Sequence, residues 1–465
     1  MRVPGPLLPP SLKGHLLDFM TKPKEFGPSM VAKYGPLYRF WTNNFTTQLA
    51  LGDPVMAQQL YRDQANMDKP EDGGLGAHFG RFFGQAMGLQ NGRTWASIRK
   101  AFKGSMSPAA ADSSLDNIEA SLNQWEQETL EPLARSGKEV TIPELMGILP
   151  VTLMLNVFFG HQFTSRHSEL VASLAADAEK IIDTVIFNRL ACTKLYKFLP
   201  TTENLTLKRF HSGLEVFLRA YETSEERSNG EGGAVDSVIE HLNASSNQDL
   251  SFENVRDTLT EIVFTNTDVI KPAISWLLAD LLVYPEECES LKLTDQHGMI
   301  DKASLENHYS RLLHVIKESA RVHPFFPISL PEVLNKDMEV GGFVLPKGSW
   351  ISIDVYSMNF NTNYWTEPSE FRPERFEDQD DFRDKWAVFR FGYGARRCAG
   401  QYYGNLMLAN VTARLLSNWQ LVPLNMEGIR HHDQVPRVQG ILAMMPDIRL
   451  HLRDKKLPTK KWAQE

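Results

Sequence analysis

Apolar residues recur at three- to four-residue spacing through residues 115–130 and again through 170–186. Each run predicts a helix with one buried face. The whole stretch from about 112 to 307 reads mainly as helix, broken by a Gly-rich surface linker at 228–233 and a polar loop at 243–248. Before it, Phe40, Thr42, Phe45, Thr46 and Thr47 suggest short strands within 38–52. After Pro324 the pattern changes. Residues 338–353 read as paired strands around a Pro346-Lys347-Gly348 turn, 359–390 as irregular, and 404–416 as helix, with short strands finishing the chain. No internal repeat is present. The pattern predicts one mainly α unit with a small β portion (α+β), comprising a lead-in at 1–20 and a single domain at 21–465.

Composition narrows the function. A net charge of −8 on 465 residues, with no Arg/Lys-rich tract, argues against nucleic acid as a partner. The three cysteines, Cys192, Cys288 and Cys398, are too sparse for a disulfide framework and fit a reducing compartment. Residues 1–10 hold a proline cluster and no apolar run of bilayer-spanning length. This lead-in reads either as a natural start or as a segment from which a preceding membrane anchor has been removed.

The richest segment is Phe391-Gly392-Tyr393-Gly394-Ala395-Arg396-Arg397-Cys398-Ala399-Gly400. Glycines at 392, 394 and 400 allow positive φ and close approach to a flat ligand, and they free amide N–H groups to point at one sulfur. Those donors, the charge of Arg396 and the positive end of a helix starting just after Cys398 all favour a thiolate. An axial thiolate pushes electron density onto heme iron. Cys192 and Cys288 read as inert buried thiols.

This segment resembles the heme-binding signature of the cytochrome P450 family, and three further stretches extend the resemblance. Glu318-Ser319-Ala320-Arg321 is similar to the family's Glu-x-x-Arg pair, and Phe371-Arg372-Pro373-Glu374-Arg375-Phe376 to the loop that supplies a third partner. Glu318, Arg321 and Arg375 are therefore expected to form a structural lock beneath the heme pocket. Trp95 and Arg99, on one helix face, resemble the pair that reaches a heme propionate. The implied cofactor is heme b, with Cys398 as the metal ligand and Phe391, Gly392, Gly400, Arg396, Trp95 and Arg99 as its other contacts.

Two positions depart from the family pattern. The resemblance places Thr265-Asn266-Thr267-Asp268-Val269-Ile270 over the heme, keeping the acid Asp268 but putting Val269 where an alcohol normally assists proton delivery during oxygen activation. Glu261, Thr265, Asp268 and Pro272 share one helix face, so Glu261, Thr265 and Asp268 are the candidate catalytic residues. Two roles are open for Thr265: it supplies the missing hydrogen bond, a task the substrate itself could share, or it bonds back to the Glu261 carbonyl. Pro272 predicts a kink where the Asp268 carbonyl loses its partner. The second departure is Glu332, an acid where the family usually has an arginine facing a propionate.

Substrate contacts are expected from Phe79, Phe83, Phe325, Phe326 and Ile441, with Asn91 and Glu261 as polar additions; such a pocket suits a bulky, semi-polar molecule. Arg99, Lys100, Lys103, Arg390 and Arg397 form a basic face behind the cysteine for an acidic electron donor, expected to be NADPH-cytochrome P450 reductase. The resemblance is strongest to eukaryotic microsomal members, and the unusual distal helix to fungal enzymes that tailor natural products. It implies a monomeric oxidase on the cytosolic face of the endoplasmic reticulum membrane. The expected reaction is C–H hydroxylation or oxidative ring formation on a specialised metabolite, either peptide-derived (a diketopiperazine) or terpenoid. The alternatives are a heme-thiolate isomerase or dehydratase needing no external electrons, and a non-catalytic heme-binding sensor.

Overall fold

The structure, a computed structural model, describes residues 3–8, 14–42, 47–62, 67–70, 80–187, 196–230, 232–244, 250–293, 298–378, 380–440 and 443–456. The helices that place the site begin where short polar side chains cap them. Ser251 accepts from Asn254 N–H at 3.2 Å while the Asn254 side chain accepts from Ser251 N–H at 3.0 Å, starting the helix Phe252–Phe264. That helix stops at Thr265, and a second, Asn266–Val283, continues the same path. Pro272 lies inside the second helix, and the break comes at Thr265, where the Thr265 and Asn266 side chains donate back to the carbonyls of Glu261 and Ile262.

These helices share the largest hydrophobic core with Leu149–Phe159 and Gln401–Asn418, whose Leu406, Met407, Val411 and Leu415 are buried. Residues 142–159 are the described stretch long and apolar enough to cross a membrane, and 78% of that window is buried within the protein. The wholly apolar character of Leu149–Phe159 is that of a core helix surrounded by neighbours.

The β portion centres on a five-stranded sheet in the order Leu37–Trp41, Thr47–Leu51, Trp350–Ile353, Glu332–Leu334, Met67–Asp68. Its edge register, Met67 opposite Leu334 and Asp68 opposite Val333, carries the chain on so that Lys69 comes beside Glu332. The expected hairpin within 338–353 is shifted: Met338–Val340 pairs with Phe343–Leu345 around Gly341-Gly342, and Trp350–Ile353 joins the large sheet instead. Two consecutive glycines at φ +57° and +79° suit the hairpin turn, while Pro346-Lys347-Gly348 does turn, with Ser349 N–H donating to the Pro346 carbonyl at 3.1 Å, but leads into the large sheet. The lead-in docks on the first strand, where the Pro4 carbonyl accepts from Arg39 N–H at 2.8 Å and that of Pro6 from Trp41 Nε1–H at 3.1 Å.

Candidate active site

Beneath the site lies a buried polar lock. Glu318 and Arg321 lie on the helix Ser310–Val322, fully buried, and pair through two 2.7 Å bonds from Nε and Nη2. Arg375 Nε adds 3.2 Å to the same carboxylate, and Arg372 N–H adds 2.8 Å. Arg321 also donates to the carbonyls of Asn359, Pro368 and Glu370. Asn359 returns a bond to the Arg321 carbonyl at 3.2 Å and accepts from Phe389 N–H at 2.8 Å, two residues before the cysteine loop. The three residues picked out from sequence thus meet, and Asn359 connects them to the loop.

In that loop the Phe391 carbonyl accepts from Cys398 N–H at 2.8 Å, and Gly392 and Gly394 turn the chain at φ +78° and +68°. Gly400 does not take positive φ: at φ −81° it opens the helix Gln401–Asn418, and a Cβ there would touch Cys398 Sγ at 3.8 Å. The sulfur faces a cavity of about 870 Å³, and Phe391, Gly392, Arg396, Cys398, Gly400, Trp95 and Arg99 all line it. Burial pushes the Cys398 thiol up, while the Gly400 N–H and the charges of Arg99 and Arg397 pull it down. The expected contribution of Arg396 is replaced by Arg99 and Arg397. The Arg396 guanidinium is committed to the Gln90 carbonyl (2.9 Å), Asn91 Oδ1 (2.6 Å) and the face of Trp95 (4.9 Å). Arg99 is held by the Arg397 carbonyl at 3.1 Å.

A thiol at one wall, two arginines and an indole at another, and a largely apolar remainder suit an iron porphyrin, which Cys398 would hold by its metal and Arg99, Arg396 and Trp95 by its carboxylates. Glu332 also lines this cavity, and its charge is answered: Tyr61 O–H donates to it at 2.8 Å and Lys69 pairs with it at 3.3 Å. Burial, then the Glu332 charge, holds the Tyr61 phenol well above its usual range. Lys69 and Tyr61 were not recognised as partners in the sequence, because the contact depends on strand register.

On the distal side, Glu261, Thr265, Val269 and Pro272 line the cavity. The Thr265 hydroxyl donates to the Glu261 carbonyl, the back-bonding alternative. The Asp268 side chain, Phe79, Cys192 and Ile441 lie outside the described residues. Phe325 and Phe326 line the cavity, packed edge to face at 4.2 Å. Phe83 does not: it is buried against Phe82 at 4.6 Å, in a core cluster that outcompetes the pocket for its apolar surface. Asn91 likewise braces Arg396 and Lys69 rather than facing the cavity. Of the basic face, Lys100, Lys103 and Arg397 are exposed, but Arg390 turns inward over the Phe391 ring at 4.5 Å, and burial lowers its pKa to about 10.

Sequence reasoning also missed a row of side chains along the helix Phe252–Phe264. Asp257 accepts from Gln85 N–H (2.7 Å), Thr258 from Met87 N–H (3.0 Å) and Glu261 from Gly88 N–H (2.9 Å), while Asn254 donates to the Gln85 carbonyl (3.1 Å). Their three- and four-residue spacing, polar on a face otherwise expected to be apolar, was the available signal.

The Cytochrome P450 family model matches residues 4–448. Similar proteins include the cytochrome P450 monooxygenase verC of Clonostachys rogersoniana, 25% identical over 87% of this chain and 81% of its own length. The cytochrome P450 monooxygenase asaD of Aspergillus flavus is 28% identical over 84% and 75%, and the flavonoid 3'-monooxygenase of Petunia hybrida 26% over 91% and 88%. With the cysteine loop, the buried lock and the cavity between them, these matches make the chain a member of the cytochrome P450 family, a monooxygenase whose cofactor is heme b.

Proposed function

We propose that this monooxygenase tailors a bulky, semi-polar specialised metabolite, peptide-derived (such as a diketopiperazine) or terpenoid, by hydroxylation or by oxidative ring formation or coupling. The observation that carries the reading is the cavity itself: Cys398 at one wall and Phe325 and Phe326 at another, in about 870 Å³ shared by the porphyrin and the substrate. Similarity to fungal monooxygenases and to a flavonoid 3'-monooxygenase supports it. Heme held by the Cys398 thiolate supplies activation of dioxygen. The chain's own part is to exclude water with the apolar wall and to present donors on the distal helix. Val269 offers no hydroxyl, and the Thr265 proton is already given to the Glu261 carbonyl. In this reading Asp268 and Glu261 hold protons near the site. Thr265 either rotates away from the carbonyl to donate, or accepts from a substrate donor.

Shortage of a dedicated hydroxyl favours the second outcome, hydrogen abstraction closed by ring formation without oxygen retained. Electrons come from NADPH-cytochrome P450 reductase, docking where Lys100, Lys103 and Arg397 are exposed. The enzyme works as a monomer at the cytosolic face of the endoplasmic reticulum membrane, in a single catalytic domain spanning 21–465. The test is metabolite comparison between hosts expressing the enzyme with a reductase and a Cys398→Ala control, under labelled dioxygen. A Cys398-dependent product heavier by one labelled oxygen means hydroxylation. One lighter by two hydrogens and unlabelled means ring formation or coupling. Turnover indifferent to reductant would refute both.

A further inference from the structure

A buried polar cluster beside the cavity takes no part in the site described so far. Asp280, fully buried on the helix Asn266–Val283, has Oδ1 2.9 Å from His323 Nε2. The His323 ring stacks on Trp276 at 3.9 Å, and both side chains line the cavity. The His323 ring also meets that of His432 edge to face at 5.1 Å, and His432 has no exposed surface. Tyr284, one turn after Asp280, holds that ring through its hydroxyl, 3.2 Å from Nδ1. Asp280 Oδ2 and His432 Nε2 are buried and have no hydrogen-bond partner among the described residues. Nε2 also lies 3.6 Å from Oδ1 of Asp433, a partly exposed side chain that pairs with Lys24.

We propose that these residues carry protons from solvent into the cavity, through a water held between Asp280 and His432 and then through His323. The inference needs only the monooxygenase activity, whichever product forms. Reduction of one dioxygen by two electrons takes up two protons from solvent, and Val269 brings no hydroxyl to pass them on. Two buried polar atoms without partners, on side chains that share His323 as a neighbour, suit one bridging water, which needs about two to four polar contacts. Asp280 Oδ2 and His432 Nε2 supply the buried contacts, and Asp433 Oδ1 connects them to the surface. Proton movement is then stepwise. Asp433 exchanges with solvent, and the water passes a proton to Asp280. The Asp280 carboxyl gives it to His323 Nε2 as Nδ1 releases one toward the cavity. The ring stays neutral, and Asp280 is left ionised until the next proton arrives. Burial, against the pull of His432, Ser319 and Lys24, raises the Asp280 carboxyl to about 7, so it gains and gives up a proton near neutrality. Burial also holds His323 neutral, well below the usual histidine range. Trp276 follows Val269 by seven residues on one helix, a rise of roughly 10 Å that a short file of water in the cavity can span.

The test uses the heme-loaded full chain with a flavoprotein reductase and NADPH, following dioxygen consumption without added substrate in light and heavy water. Asp280→Asn keeps an oxygen facing His323 but cannot hand on a proton. His432→Phe keeps a ring against His323 and removes the nitrogen that holds the water. Each should slow consumption at least about fivefold and enlarge the solvent isotope effect, a modest share of what positioned acid–base groups contribute. Hydrogen peroxide brings its own protons, so peroxide-driven oxidation of the dye ABTS should stay within about twofold of the parent in both variants. A crystal structure of the parent should place a water within hydrogen-bond reach of Asp280 Oδ2 and His432 Nε2. An unchanged rate and isotope effect in either variant overturns the proposal, and so does a parent crystal structure with no water there. Equal loss of the NADPH-driven and peroxide-driven reactions assigns the cluster a packing role and overturns it too. If Asp280→Asn fails to load heme, His432→Phe decides alone. A parent that consumes no dioxygen overturns the monooxygenase reading and the proposal with it.

Discussion

Replacing Arg321 by lysine keeps the positive charge beside Glu318 and removes only the shape of the guanidinium. Arg321 donates five bonds: two to Glu318 at 2.7 Å each, and one each to the carbonyls of Asn359 (3.0 Å), Pro368 (2.8 Å) and Glu370 (3.1 Å). A lysine ammonium has one nitrogen and at most three donors. Glu318 Oε1 keeps the Arg372 N–H and Arg375 Nε, and the Glu370 carbonyl keeps Arg375 Nη2. The loss therefore falls on Glu318 Oε2 and the carbonyls of Asn359 and Pro368. A single compact ammonium leaves at least one of these unpaired, in a site with no exposed surface on either partner. At about 1–3 kcal/mol per unsatisfied buried acceptor, the loss is at least about 1–3 kcal/mol. Against a typical total of about 5–15 kcal/mol, that is a large fraction. Urea unfolding followed by tryptophan fluorescence measures it, and Trp365, whose ring lies 5.3 Å from the Arg321 guanidinium, reports locally. Asn359 ties Arg321 to Phe389 N–H, so hydrogen exchange at Phe389 should also accelerate. A midpoint shift worth less than about 1 kcal/mol, with Phe389 exchange unchanged, would refute the view that the fork's geometry holds the cysteine loop.

Two other perturbations probe the same molecule. Gly88→Ala drives a Cβ into Glu261 Oε1, so the segment 84–88 should lift from the distal helix at a cost of about 1–3 kcal/mol, seen as faster limited proteolysis there. Asp280, buried against His323 Nε2 at 2.9 Å, has its carboxyl pushed up to about 7, chiefly by burial. A folded value above the unfolded one near 3.8 means that its contribution is complete below the unfolded value and is lost as pH rises through about 7. Asp280→Asn should therefore lose less stability than the parent between about pH 4 and about pH 7 in urea titrations, and equal slopes would contradict the assignment.

Whatever depends on spacing along the chain could be read before folding. The cysteine loop, the Glu318/Arg321 pair and the Trp95/Arg99 pair are local patterns, and the structure brings all of them to the cavity or directly beneath it. What escaped depends on register between distant segments. Lys69 meets Glu332 because two short strands pair antiparallel, and no local pattern marks a contact across 263 residues. The split of the distal helix at Thr265 went unread because side-chain competition for backbone carbonyls is a quiet signal beside a proline such as Pro272. Phe83 illustrates a third limit. Its neighbour Phe82 is equally aromatic, and only packing against Phe210 and the rest of the core decides that neither faces the cavity.

The central claim is that Cys398 is the axial thiolate of a heme enzyme. It is tested most directly by the carbon monoxide spectrum of the dithionite-reduced protein beside Cys398→His. The parent should show the strongly red-shifted Soret band of thiolate ligation, and the variant, still loaded with heme, should show the shorter-wavelength band of imidazole ligation. A parent spectrum without the red shift, or a shift that persists in Cys398→His, would contradict the account.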